Sequence, residues 1–316
     1  MKLIALFLFT GLLSRAALPE DEALRVLQTS LNRTEREAAL FSLTQQSQWS
    51  PAVAHELGRI LVPGGTTRES GYAAHLLPRL GPDALPIMVK LLDSCSTDTG
   101  LLLEGIARDL NRTNETALVG ALRPMIKRAP WEQGFFAGTT LAAFPLSPAN
   151  AEAITRDLLG IRHWPMQFVG AVMVAKQAAD TNLFQEMKSS EYATVRYAAA
   201  HYLHLHTFVW QQSFSRAPKP PRPEQVQRAE KFEAELRLLA ADALRECLQK
   251  LESSPQPNDR IAAFRAIELM YPHVKDRRPE IAQTIRKLHF SGGSFGNLNL
   301  FDQYILRWEM NPHWAN

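Results

Sequence analysis

Three copies of one short pattern, Arg-x-Ala-Ala-x-x-x-(Leu or Ile), constrain this chain more than any other feature. They stand at Arg36-Ala38-Ala39-Leu43, Arg196-Ala198-Ala199-Leu203 and Arg260-Ala262-Ala263-Ile267, with starts 160 and 64 residues apart, five and two times 32. Tyr72-Ala73-Ala74-His75 is a looser echo. Paired alanines let a neighbouring helix come close, and the branched residue one turn later fills the seam. A period near 32 suits a two-helix unit, which cannot bury its apolar face alone and must stack on its neighbours.

The rest of the chain agrees. Almost every segment reads as amphipathic helix, and alternating β-branched runs are missing. Pro, Gly, Asn or Ser punctuates the helices every 12 to 18 residues, as at Asn32-Arg33, Ser50-Pro51, Gly81-Pro82, Ser147-Pro148 and Trp164-Pro165. Proline fits the first turn of a helix, where its missing N–H leaves nothing unbonded. The spacing predicts hairpins near 19–47, 50–80, 82–111, 114–144, 147–179 and 180–208, a charged helix over 224–251 and a further hairpin near 258–289. The predicted class is all-α, an α-solenoid of stacked antiparallel hairpins with a C-terminal capping segment. Its expected divisions are a signal peptide over 1–16, a repeat array over 17–212, a stiff Pro-rich linker over 213–223, and a helical segment with an aromatic cap over 224–316.

Val195-Arg196 followed by Ala199 and Leu203 resembles the start of a short HEAT-like repeat of the kind found in phycobilin lyases. Leu80-Gly81-Pro82-Asp83-Ala84-Leu85-Pro86, continuing to Val89 and Leu92-Asp93, resembles the loop and second helix of such a repeat. The resemblance covers 70–94 and 189–206. It departs where Glu35 precedes Arg36 in place of Val, and where Gly71 stands in place of Arg. It implies an α-solenoid with a concave binding surface and no single activity, since such repeats serve many proteins as scaffolds.

The N-terminus reads as an export signal. Lys2 precedes the eleven-residue apolar run Leu3 to Leu13, and Ser14-Arg15-Ala16 places small residues where a signal peptidase cuts, after Ala16. Eleven residues fall short of the roughly 20 that span a bilayer, and no later stretch qualifies, so no transmembrane segment is expected in the mature chain. The expected location is periplasmic or extracellular. Loss of Lys2 and Arg15 leaves 33 basic against 32 acidic residues, a near-neutral balance that argues against a nucleic-acid partner. Cys95 and Cys247 are the two cysteines. A bridge between them is not expected, because they fall several hairpins apart in an extended stack.

Three features invite a search for chemistry. In Ala193 to His206, three of nine histidines lie within six residues. With each residue turning about 100°, His206 falls among Val195, Ala198, Ala199 and Leu203 on the packed face, while His201 and His204 point to the far side. His201 and His204, spaced i, i+3, can supply two metal ligands, yet a closed zinc site needs four and a catalytic one three. A solvated or core role is therefore expected. Ser291 to Gly296 is Gly-rich but lacks the lysine and preceding strand of a phosphate loop. Carboxylate pairs such as Glu20 with Glu22 and Glu233 with Glu235 read as ordinary charged helix surface. Asn32, Asn111 and Asn114 match the N-glycosylation acceptor pattern at inferred loops.

Trp131, Phe135, Trp164 and Phe168 are the candidate partner-binding residues, because Trp131 and Trp164 are 33 residues apart and would recur on a concave face. The sequence thus predicts an exported, non-catalytic HEAT-like scaffold that binds a protein or peptide and needs no cofactor. The alternative is a helical enzyme or a ligand- or metal-binding protein using His201 and His204 or the 291–296 loop. A purely structural envelope protein is the third class.

Overall fold

The computed structural model describes residues 17–61, 68–93, 97–127, 131–213 and 223–290, and among them every regular element is a helix. The expected signal peptide, Cys95, residues 214–222 of the Pro-rich linker, the 291–296 loop and the aromatic tail lie outside the described residues. The helices are α1 (Glu20–Thr29), α2 (Arg33–Thr44), α3 (Pro51–Leu61), α4 (Arg68–Leu76), α5 (Leu85–Leu92), α6 (Thr97–Asp109) and α7 (Glu115–Ile126). They continue as α8 (Trp131–Ala143), α9 (Pro148–Leu159), α10 (Trp164–Phe168), α11 (Thr181–Met187), α12 (Ala193–Ser213), α13 (Pro223–Ser253), α14 (Pro257–Met270) and α15 (Arg278–Phe290). Proline opens α3, α9, α13 and α14, as its fixed φ favours. Asn32 caps α2 by accepting from the Thr34 N–H at 3.0 Å, and Asp180 caps α11 by accepting from Asn182 at 2.9 Å. No helix among the described residues is long and apolar enough to cross a membrane.

The chain forms two compact units, Met1–Ala121 and Leu122–Asn316. In the first, α1 pairs with α2, α3 with α4 and α5 with α6, while α1 packs on α3 and α3 on α5, and α2 on α4 and α4 on α6. Successive hairpins therefore stack like on like. Leu77–Ala84, a 3₁₀ segment, turns the chain from α4 into α5 through Gly81, whose φ of +61° no residue with a Cβ adopts without strain.

In the second unit, α10 passes directly into a π-helical turn, Val169–Val174, on which α8, α9 and α12 pack. Gly170 permits the approach of α9, since a Cβ there would lie 2.8 Å from the Leu158 Cβ. α12 packs along α13, α13 on α14 and α15, and α14 returns to α10. The Pro-rich segment joins α12 and α13, two helices that lie against each other within the second unit.

The repeated pattern has a structural cause at each letter. Its arginine donates to backbone carbonyls of the preceding segment: Arg36 to Leu27, Arg196 to Ser190 and Glu191, both at 2.8 Å, and Arg260 to Ser254 at 2.8 Å. These include carbonyls at or near a helix end, where the helix itself leaves the last acceptors unpaired. Ala39, Ala198, Ala199, Ala262 and Ala263 are fully buried, as are Leu43 and Ile267. Each such leucine or isoleucine contributes roughly 1.5–3 kcal/mol by leaving water.

Many hydrogen bonds between neighbouring hairpins span 30–35 residues. Arg59 donates to the Leu27 carbonyl 32 residues away, Arg36 to Glu69 at 33, Arg79 to the Thr44 carbonyl at 35, and Arg123 to Asp157 at 34. Gln177 donates to the Ala142 carbonyl at 35, Tyr202 to the Val172 carbonyl at 30, and Thr284 to Glu252 at 32. That range brackets the 32-residue period of the sequence pattern, while Thr194 to Glu246 spans 52 residues and Glu233 to His273 spans 40.

Candidate functional site

The far side of α12 is where chemistry gathers. Tyr197, His201 and His204 follow one another at i, i+4 and i+7, so they form a stripe away from the alanine pair. α13 and the 3₁₀ turn Tyr271–His273 bring side chains against it. The His201 ring centroid lies 5.8 Å from Tyr197, 5.4 Å from Tyr202 and 6.2 Å from His273. His204 lies 5.2 Å from Phe232. His273 Nδ1 is 3.1 Å from Glu233 Oε1, and Glu233 also accepts from Arg237 at 3.2 Å. Behind this cluster the Tyr202 hydroxyl donates to the Val172 carbonyl in the π turn at 2.6 Å.

The electrostatics follow from burial. Burial lowers the His201 pKa to about 4, with the neighbouring His273 and His204 pushing the same way. Burial also lowers His204 and raises the tyrosine hydroxyls of Tyr197 and Tyr202. Burial alone would raise the Glu233 carboxyl, but the hydrogen bonds and charges of His273 and Arg237 outweigh it and hold Glu233 below the usual range. An ionised Glu233 requires the proton on His273 Nδ1, which orients the imidazole as a carboxylate does behind many working histidines. His201 is neutral near pH 7, and its buried Nδ1 has no hydrogen-bond partner.

His201 and His204 are thus joined by His273 and Glu233, which come from 72 and 32 residues past His201. His273 lies off the 32-residue period, and Glu233, though one period past His201, reads in the sequence as plain helix surface. The four are not gathered as ligands: among the described residues, no group of three or more His, Cys, Asp or Glu is placed to hold a metal ion. The cluster can take up a proton under acid and stack flat groups; its neutral His201 is a poor acid at pH 7.

The candidate partner-binding aromatics are mostly interior. Phe135, Phe168 and Trp164 are 1%, 0% and 3% exposed, because α8 and α10 pack on each other and α14 covers α10. Trp164 stacks on Phe168 at 5.9 Å, with Lys250 Nζ 5.6 Å from the Trp164 ring. Trp131 alone of the four is part exposed, its ring 4.4 Å from that of His163. Trp131 and Trp164 therefore differ in exposure despite their repeat spacing.

A cavity of about 510 Å³ lies between the α9–α10 and α11–α12 turns, with Leu159, Met187 and Val195 beside Arg162 and Gln167. None of the histidines lines it. Of the three acceptor-pattern asparagines, Asn32 and Asn111 are exposed, while Asn114 is buried beside Gly81. Cys247 is a buried free thiol whose pKa burial raises, 3.7 Å from the Thr194 hydroxyl. No protein-family model, curated protein or solved structure matches the chain.

Proposed function

We propose that this chain is an exported HEAT-like α-solenoid that binds a protein or peptide through the concave face of its stacked hairpins and performs no catalysis. The observation that carries the reading is the 30–35-residue spacing of the ties between hairpins, from Arg36–Glu69 to Thr284–Glu252. Within each unit, hairpins tied at a recurring interval present side chains at a recurring interval, which suits an extended partner better than a small molecule. The arginine of the repeat pattern supports it, since each copy ties a helix to the carbonyls before it rather than facing outward.

The test is affinity capture with the mature chain, residues 17–316, from the native exported fraction, followed by rebinding of the purified candidate. A stoichiometric protein that rebinds, with affinity reduced about tenfold by Trp131→Ala in a chain of unchanged melting temperature, is the expected result. Recovery of the chain in the cytoplasm with residues 1–16 attached would refute export. A chain that binds no protein but shows saturable binding of a small molecule would move the assignment to the ligand-binding alternative.

A further inference from the structure

His163, Trp164 and Asp259 each hold a polar atom that the fold buries and leaves unbonded. Trp164 and Asp259 are 3% and 8% exposed, and Trp164 Nε1, Asp259 Oδ1 and His163 Nδ1 have no hydrogen-bond partner. One seam collects them: His163 and Trp164 open α10, Asp259 stands in the first turn of α14, and α14 packs on α10. Lys250 of α13 ties the neighbourhood together. Its Nζ lies 5.6 Å from the Trp164 ring, and its charge, like those of Asp259 and Glu132, acts on the His163 imidazole. Asp259 Oδ2 accepts from the Ser254 hydroxyl at 2.8 Å, which fixes the carboxylate while its other oxygen stays unbonded.

Buried polar groups in folded proteins are bonded in roughly nine cases of ten, so three orphans in one seam call for a common partner. The three atoms do not bond one another. Their types state what would satisfy them. The indole only donates, an ionised carboxylate only accepts, and a neutral imidazole does either. One hydroxyl oxygen accepts from Trp164 and donates to Asp259. Water has a second hydrogen for His163 Nδ1, whereas an alcohol needs the imidazole to donate.

We propose that the α10–α14 seam is a binding site for a hydroxyl group, held by Trp164 Nε1, Asp259 Oδ1 and His163 Nδ1. Its source is an internal water or the hydroxyl of a polyol or saccharide. A saccharide would also meet the part-exposed Trp131 ring beside His163, a flat apolar surface next to buried polar groups. The site does not depend on the partner-binding reading.

The test joins a crystal structure of the mature chain, grown without polyols, to a titration of tryptophan emission with glycerol and glucose. The expected result is an isolated peak about 2.7–3.2 Å from all three atoms. A peak with no response to either compound assigns the site to water. A saturable emission change that displaces the peak assigns it to the larger hydroxyl compounds, with affinity about tenfold weaker in Asp259→Asn. Trp164→Phe removes the donor together with the indole's five-membered ring, so occupancy of the site falls by about half or more; Asp259→Asn, which preserves the side-chain shape, gives the same crystallographic readout and serves should Trp164→Phe fail to fold. The three atoms bonded directly to protein groups, Lys250 on Asp259 for example, with no peak between them and no emission change, would overturn the proposal.

Discussion

The α2–α4 seam of the first unit and the α10–α14 seam of the second both bury charged groups between hairpins, and they end in opposite states. In the first, Arg36 meets Glu69 through two nitrogens at 2.9 and 3.1 Å and turns a third to the Leu27 carbonyl. A planar guanidinium presents several donors from one side chain, so a single residue closes the seam. In the second, an indole, an imidazole and a carboxylate arrive from two helices, each with one atom to offer, and all three remain unbonded. The histidine cluster on α12 is similar in kind, with His201 Nδ1 unbonded among rings. A satisfied polar seam holds a stack together; an unsatisfied one responds to a ligand or a proton.

The largest effect expected from this contrast is in the first unit. Arg36→Ala leaves the Glu69 carboxylate without its fork, at side-chain exposures of only 15% and 17% for the ion pair, while the Leu27 carbonyl keeps the Arg59 donor at 2.8 Å. It should destabilise the first unit by about 3 kcal/mol. Arg36→Lys should recover less than half, because an ammonium is a point charge. Trp49, which donates to the Leu43 carbonyl at 3.0 Å and lies under Arg79, reports on this unit during urea unfolding. A loss below about 0.5 kcal/mol would place this pair with ordinary surface ion pairs and remove the contrast.

A smaller effect separates the units by pH. The folded pKa of His201 lies at about 4 against an ordinary 6.5, so the fold favours the neutral ring. Its contribution is complete above about pH 6.5 and is lost as the pH falls toward 4, by about 2 kcal/mol at pH 5. His163 and His204 are lowered as well and act in the same direction, while the Glu233 carboxylate favours a charged His204 and offsets part of its share. Unfolding of wild type and His201→Leu, compared from pH 7.5 to 5, isolates the His201 share as the difference in slope. Equal slopes would show that acid acts on the second unit elsewhere.

What the sequence disclosed, and what it hid, follows the same division. Local signals were legible: Ser50-Pro51 and Ser147-Pro148 do open α3 and α9, Asn32 does cap α2, and five of the six paired alanines are buried, Ala38 being half-buried. Each depends on residues within a turn or two of one another. The stripe of Tyr197, His201 and His204 was also legible as the face opposite the alanines. Its covering was not, because Phe232, Glu233 and His273 are placed by the packing of α13 and α14, which no period encodes. The same packing buries Trp164 and Phe168, so helix-spaced aromatics that suit a binding face became core. The π turn at Val169–Val174 left no sign in a run of apolar residues that continues a helical pattern.

The smallest effects test backbone approach rather than polar satisfaction, and they differ in sign. Gly170 sits where α9 and the π turn come closest: a Cβ would lie 2.8 Å from the Leu158 Cβ and 3.4 Å from the Thr155 carbonyl oxygen. A Cβ cannot rotate away as the end of a long side chain can, so the two segments must move apart. Gly170→Ala should therefore destabilise the second unit by about 1–2 kcal/mol. Gly105, inside α6 of the first unit, has nothing within 4 Å of where a Cβ would stand. Gly105→Ala should stabilise that unit by about 0.5–1 kcal/mol, since alanine loses less backbone freedom on becoming helical. Denaturant unfolding of both variants measures the pair. Opposite signs would show that α9 and the π turn approach more closely than α6 and its neighbours; destabilisation by both would mean that α6 is packed as tightly as α9, and that the two units differ in polar satisfaction alone.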